Sequence, residues 1–177
     1  MKLFALILVT TLLMVLAITA CQADALLGLY NECRNDKRCT DIALQKSLGE
    51  NIGIFTYATV SKDWSEIYVG PIYKPTENSE ILFGAGLEQG QSSIRWGGWS
   101  DVAFGRTCLE YDYEFGGSGY WYKLKVGYQF TPKFDASLQN KTTENTGIGL
   151  GYRLAPDFKL ITNVFPKTIT AGVLIGF

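Results

Sequence analysis

The segment YWYKLKVGYQF at residues 120–130 alternates between two kinds of side chain along its whole length. Apolar and aromatic residues occupy one set of alternate positions, namely Tyr120, Tyr122, Leu124, Val126, Tyr128 and Phe130. The intervening positions are Trp121, Lys123, Lys125, Gly127 and Gln129. Because successive side chains of a strand point to opposite faces of a sheet, this period of two predicts a β-strand with one apolar and one charged face.

The neighbouring residues repeat this pattern. Residues 108–115 set Leu109, Tyr111, Tyr113 and Phe115 against Cys108, Glu110, Asp112 and Glu114. The glycine-rich linker at 116–119 joins the two segments as a β-hairpin. Residues 146–154 and 168–177 alternate in the same way, and further strands are predicted near 52–60, 65–73, 80–88, 93–99, 133–139 and 158–164.

These segments give ten strands, and eight remain equally compatible with the pattern because short strands are hard to locate from one sequence. The connections between them are too short for crossover helices, so neighbouring strands must be antiparallel. We therefore predict an all-β fold, an antiparallel up-and-down transmembrane β-barrel of 8 to 10 strands over residues 51–177.

Residues 24–48 have a different pattern. Ala25, Leu26, Leu29 and Tyr30 recur at helical spacing, and a polar turn follows at 35–37. This spacing predicts a short N-terminal helical segment that caps or plugs the barrel.

The first twenty residues have the plan of a secretory signal peptide. Lys2 precedes an apolar run from Leu3 to Ala17, which is shorter than the roughly 20 residues of a membrane-spanning helix. We predict a signal peptide at 1–20 with two possible cleavage sites. One lies before Cys21, where residues 18–21 resemble the lipobox of bacterial lipoproteins and would make Cys21 the site of lipidation. The other lies after Ala23.

Alternation alone does not decide which face of the barrel points outward. A soluble barrel has its apolar face inside, whereas a membrane barrel has it outside. In residues 120–130 the aromatic side chains lie at both ends, with Leu124 and Val126 between them, as in the aromatic girdles of membrane barrels. This favours a membrane barrel. A lipid-anchored or periplasmic barrel of the lipocalin type is the alternative.

Two segments resemble the tight periplasmic turns of small outer-membrane barrels of the OmpA, OmpX and OmpW kind. They are GYQFTPKF at 127–134 and GYRLAPDF at 151–158. The terminal Val173, Ile175 and Phe177 are similar to the C-terminal insertion signal of such barrels. This resemblance implies the bacterial outer membrane, contact with its lipid and recognition by the barrel insertion machinery. We expect a monomer, with any surface partner unknown.

With the apolar face outward, the lumen would collect charged side chains. The acids are Glu66, Glu88, Glu110, Asp112, Glu114 and Asp135, and the bases are Arg95, Lys123, Lys125, Arg153 and Lys159. A barrel of about eight strands is just wide enough for its side chains to fill it. We therefore predict lumenal ion pairs in an essentially closed barrel.

The chain has four cysteines, and an exported protein lies in an oxidising compartment where disulfides form. One hypothesis links Cys33 or Cys39 to Cys108 and so ties the N-terminal segment to the barrel. A local link between Cys33 and Cys39 is an equal alternative, because connectivity is not readable from sequence.

Composition narrows the function. The net charge is −1 and no basic run follows Lys2, which argues against nucleic-acid binding. The chain has no histidine, the commonest general base and metal ligand. We predict no enzymatic activity, no cofactor and no metal site. A structural or cell-surface interaction role is expected, with a lipocalin-like binding barrel or a small pore as alternatives.

Overall fold

The computed structural model describes residues 25–34 and 37–176, with side chains for 25–32 and 38–176. These residues form a closed barrel of twelve strands. The strands are β1 (Ala25–Arg34), β2 (Lys37–Ser47), β3 (Ile52–Ser61), β4 (Ser65–Thr76), β5 (Ser79–Glu88), β6 (Arg95–Phe104), β7 (Thr107–Gly116), β8 (Trp121–Gln129), β9 (Phe134–Lys141), β10 (Asn145–Ala155), β11 (Phe158–Phe165) and β12 (Thr168–Gly176). Each pairs antiparallel with its neighbours in sequence, and β1 closes the barrel against β12.

The prediction of 8 to 10 strands with an N-terminal helical segment is wrong. The ten predicted strands correspond to β3–β12, and the two that were missed are β1 and β2, which occupy residues 25–47. No residue that the structure describes is helical. In β1 the lumenal Leu26 and Gly28 are uncharged, and so are the outward Leu27 and Leu29. The two faces therefore do not differ in polarity, and the sequence shows no alternation with a period of two.

Closure at β1 satisfies the backbone on both sides of that strand. Leu29 lies opposite Ile42 of β2 and Val173 of β12. A closed barrel has no edge strand, and each strand therefore finds its hydrogen-bond partners within the sheet. The signal peptide at 1–20, the cleavage sites at Cys21 and Ala23, and Phe177 lie outside the described residues.

The outer surface of the barrel is apolar. Large hydrophobic side chains are exposed around the wall, among them Val69, Ile81, Leu87, Leu124, Leu138, Ile148, Leu150 and Ile169. The strands are 8 to 12 residues long, close to the roughly 9–11 residues that a tilted strand needs to cross a bilayer. An apolar belt on strands of this length fits a lipid environment. Among the described residues, no helix is long and apolar enough to cross a membrane.

The two ends of the barrel differ in their connections. Leu26 pairs with Gly176, so both ends of the described chain lie at the same end of the barrel. The turns at that end, 77–78, 105–106 and 156–157 among them, are short, whereas the longest connection, 89–94, lies at the other end. Bacterial barrels have short periplasmic turns and longer extracellular loops. We therefore name the end with the termini the periplasmic end and the other the extracellular end.

Depth in the bilayer gives a first testable prediction. Leu150 lies in the middle of β10 and Leu154 near its periplasmic end, and both point outward with exposed side chains. We expect Leu150→Arg to lower the free energy of unfolding in vesicles by about 2–4 kcal/mol and Leu154→Arg by about 0–1 kcal/mol. Urea titration of each folded variant in lipid vesicles measures the difference. Equal costs for the two variants would contradict a lipid-facing β10.

Candidate functional site

The lumen holds a cavity of about 1500 Å³. It is lined near the extracellular end by Lys62, Asp63 and Gln91, and near the periplasmic end by Gln45 and Lys159. One water molecule occupies about 30 Å³ of liquid, so the cavity has room for tens of waters. The expectation of an essentially closed lumen assumed about eight strands. The diameter grows with strand number, and twelve strands leave space that the side chains do not fill.

Arg95, the first residue of β6, is the centre of a buried charge cluster at the extracellular end. Its Nε lies 3.3 Å from Oε2 of Glu66, and its Nη2 lies 3.0 Å from Oε2 of Glu114. Its Nη1 lies 3.5 Å from Oε2 of Glu88. All four side chains are at most 7% exposed. One guanidinium therefore faces three carboxylates. We name this set, Arg95 with Glu66, Glu88 and Glu114, the mouth cluster.

Neutral groups complete the mouth cluster. Arg95 Nε donates to the Tyr68 hydroxyl at 2.5 Å, and that hydroxyl donates to Oε2 of Glu114 at 3.1 Å. Glu88 accepts from the Trp64 indole N–H at 2.7 Å and from the backbone N–H of Ser118 at 2.8 Å. These contacts hold the extracellular loops that contain Trp64 and Ser118 against the barrel wall.

A second charge cluster lies on β7 and β8. The register places Glu110 opposite Lys125, and Asp112 opposite Lys123. Lys123 Nζ contacts Glu110 and lies 2.5 Å from Oδ2 of Asp112, while Lys125 Nζ lies 2.7 Å from Oε2 of Glu110. In an antiparallel pair directly opposite side chains on one face are neighbours, which is why the two alternating sequences bring these charges together. Two lysines and two carboxylates balance each other here.

Three other charged residues that the sequence placed in the lumen belong to neither of these two clusters. Lys159 Nζ lies 2.6 Å from Oδ2 of Asp135. Arg153 is exposed near the periplasmic end and donates from Nη1 to the Pro156 carbonyl oxygen at 2.8 Å. The structure therefore places Arg153 in a turn contact and shows no carboxylate of the described residues within ion-pair distance of it.

Sequence reasoning missed a further ion-pair group near the extracellular end. Lys141 Nζ lies 3.2 Å from Oε2 of Glu144 and 3.7 Å from Oε2 of Glu32. Glu32 lies in β1, where the sequence predicted a helix. Glu144 lies in the turn between β9 and β10, where no alternating pattern indicates that its side chain faces the lumen.

One wall of the lumen is aromatic. Phe55 and Trp99 have ring centroids 5.1 Å apart, and Tyr68 and Trp99 have centroids 5.2 Å apart, with Tyr57 beside them. Gly84 makes room for the group, since a Cβ there would lie 2.7 Å from the Phe55 ring. These residues occupy inward positions, where a membrane barrel is expected to have polar side chains. The lumen therefore has one apolar wall and a charged remainder.

The structure does not support the proposed link between the N-terminal segment and Cys108. Cys39 and Cys108 are both free in the structure. Cys39 lies near the extracellular end of β2, whereas Cys108 lies near the periplasmic end of β7. The proposed link assumed an N-terminal segment that caps or plugs the barrel, and that segment instead forms β1 and β2. Cys39 lies opposite Glu32 in the register, while Cys33 lies opposite Arg38. The Cys33 side chain lies outside the described part.

The lining of the cavity carries an excess of acids. Eleven carboxylate side chains line it, against seven lysine and arginine side chains. The formal excess is therefore four negative charges. No group of three His, Cys, Asp or Glu side chains in the described part of the chain is arranged to hold a metal ion.

A closed barrel with an apolar exterior and a wide, charged lumen defines a small outer-membrane β-barrel with a porin-like fold. The fold is similar to a solved structure of KdgM porin, with a TM-score of 0.63 and 16% sequence identity over 86% of this chain and 99% of that chain. A structure of KdgM porin in complex with disordered oligogalacturonate gives a TM-score of 0.62 and 15% identity, with coverage of 86% and 99%. No family model and no curated protein matches the chain.

The fold likeness agrees with the bacterial outer membrane that the sequence predicted. The resemblance to the OmpA, OmpX and OmpW kind was correct in predicting a small outer-membrane barrel, but the two structures compared above are of a porin.

Proposed function

We propose that this protein is a small water-filled pore of the outer membrane. The observation that carries this proposal is the lumenal cavity, whose lining residues extend from the extracellular loops to the periplasmic ends of the strands. Most of the residues that line the cavity are polar or charged, which suits water and small hydrophilic solutes. The porin-like fold supports the same function.

A structural or cell-surface interaction role receives less support. The longest connection at the extracellular end, 89–94, has only six residues, and such loops offer little surface to a partner. A cavity of about 1500 Å³ is also more than a purely structural barrel requires.

The oligogalacturonate bound by the compared porin does not suit the lumen of this chain. Oligogalacturonate is a chain of sugar carboxylates, and the lining described above has more carboxylates than cationic side chains. Like charges repel, and repulsion is strongest where low-dielectric walls focus the field. We therefore propose small solutes rather than an acidic oligosaccharide as the cargo.

The surroundings of the barrel complete the proposal. The apolar outer surface supports direct contact with outer-membrane lipid. Val173 and Ile175 lie in β12, opposite Leu29 and Leu27 of β1, and the suggestion that they signal to the barrel insertion machinery rests on the sequence resemblance. The monomeric state, the signal peptide and the lipidation of Cys21 likewise remain predictions.

Solute uptake by proteoliposomes tests the pore. Folded protein should allow a small neutral sugar to enter and should exclude a large dextran, so that vesicles swell in the sugar alone. We expect Ala43→Trp, which fills part of the lumen, to slow swelling about twofold, because flux depends on the narrowest cross-section.

Ala171→Trp is the matched control, since Ala171 lies on an outward position of β12 and is exposed. It should swell at the wild-type rate. Vesicles that contain folded wild-type protein and do not swell in the sugar would contradict the proposed function.

A further inference from the structure

We propose that the lumen prefers small cations over anions, an inference that rests on the proposed pore function. The lining has a formal excess of four negative charges, and these charges are distributed along the length of the barrel. Channels that select cations use rings of Asp and Glu, whereas anion pores use Arg and Lys.

The mouth cluster supplies the largest part of the excess. Three carboxylates surround the single guanidinium of Arg95, which leaves two formal negative charges at the extracellular end. The guanidinium also donates to Tyr68 and to the Gly116 carbonyl oxygen, so its donors are directed into the wall. An anion entering from outside would therefore meet carboxylates and no available arginine donor at this point.

Two further carboxylates extend the negative potential from the mouth cluster into the lumen. Asp41 of β2 and Asp101 of β6 both line the cavity. No lysine or arginine nitrogen of the described side chains lies within ion-pair distance of either one. Asp41 lies in the extracellular half of its strand, and Asp101 lies towards the periplasmic end.

The lumenal cations are less able to attract anions. Lys123, Lys125, Lys141 and Lys159 each contact at least one carboxylate. The cations without such a contact among the described residues are Arg38 and Lys62, and both are exposed at the extracellular rim. Screening by salt weakens charges at the rim more than charges inside the lumen. The interior of the pore is thus dominated by acids.

The size of the effect follows from the volume. With every lining carboxylate ionised, an excess of four charges in about 1500 Å³ corresponds to a fixed charge of about 4 mol/L. Charge balance with about 1 M salt outside then gives cations an excess over chloride of about twentyfold in the lumen. Removing two of the four charges lowers this excess about threefold.

The zero-current potential in a planar bilayer under a KCl gradient measures the preference. With about 0.1 M and about 1 M KCl on the two sides, we expect the dilute side to become positive and K⁺ to be at least about fivefold more permeant than Cl⁻. The variant Asp41→Asn with Asp101→Asn should reduce the permeability ratio about threefold, because it keeps the shape and removes two charges.

Glu77→Gln is the matched control, since Glu77 is exposed in the periplasmic turn 77–78 and does not line the cavity. It should keep the wild-type ratio. If the wild-type protein conducts current with a K⁺ to Cl⁻ permeability ratio of one or below, the cation preference is overturned and the proposed pore function still stands. Absence of any current from folded protein would contradict the pore itself and the preference with it.

Discussion

Arg95→Met is expected to prevent stable folding of the barrel. The substitution leaves Glu66, Glu88 and Glu114 buried at the extracellular end without their cation. Removing one partner of a buried ion pair costs about 3–5 kcal/mol, because a charge is left uncompensated. Here three carboxylates lose their partner together, so we expect a loss at or above that range. Loss of the folded band in heat-modifiable gel mobility, and of the folded baseline in urea titration, measures it.

Two variants make this result specific. Arg106→Met removes an exposed arginine in the periplasmic turn 105–106, and it should fold as the wild type does. Adding Glu66→Gln, Glu88→Gln and Glu114→Gln to Arg95→Met should restore much of the folded fraction, since no buried charge then remains unpaired. Normal folding of Arg95→Met alone would contradict the role of the mouth cluster in stability.

Deletion of residues 25–47 is expected to abolish the folded barrel completely. The deletion removes β1 and β2 and leaves β3 and β12 as open edges. Nine residues of β3 pair with β2, and their backbone groups would face lipid, where each unsatisfied group costs several kcal/mol. Circular dichroism and heat-modifiable mobility of the refolded chain measure the loss. A folded product would contradict the closure by β1 and favour a separate N-terminal cap.

A pair of proline variants tests the same closure without a deletion. Leu29→Pro removes a backbone donor in the middle of β1, where both neighbouring strands are paired. Glu50→Pro lies in the periplasmic turn 48–51 and should be tolerated. We expect a large loss of the folded band for Leu29→Pro and little change for Glu50→Pro. Similar behaviour of the two would argue against β1 as a barrel strand.

Local alternation predicted β3–β12, because in these strands a charged or polar face opposes an apolar one. Lys123 and Lys125 beside Leu124 and Val126 are the clearest example. In β1 the lumenal positions Leu26 and Gly28 are themselves without charge, so the sequence does not distinguish the faces. The predicted number of strands was therefore too low, and the predicted width of the lumen was too small.

Within the candidate site, the sequence predicted only those ion pairs that form between the two strands of a single hairpin. The contacts of Glu110 and Asp112 with Lys123 follow from two adjacent strands and their linker. The mouth cluster instead combines β4, β5, β6 and β7 with two loops, and no local pattern assigns Glu66 and Glu88 to Arg95. The aromatic wall was missed because Phe55 and Trp99 point inward, where the pattern of a membrane barrel predicts polar residues.

Single-channel recording in a planar lipid bilayer is the most direct test of the pore. The mature protein, verified as folded by its heat-modifiable mobility, is added to one side at constant voltage. A water-filled lumen predicts discrete, uniform steps of current as molecules insert, with conductance that rises with salt concentration. If folded protein inserts and no current above the baseline is recorded, the proposed pore function is contradicted and a structural role is favoured.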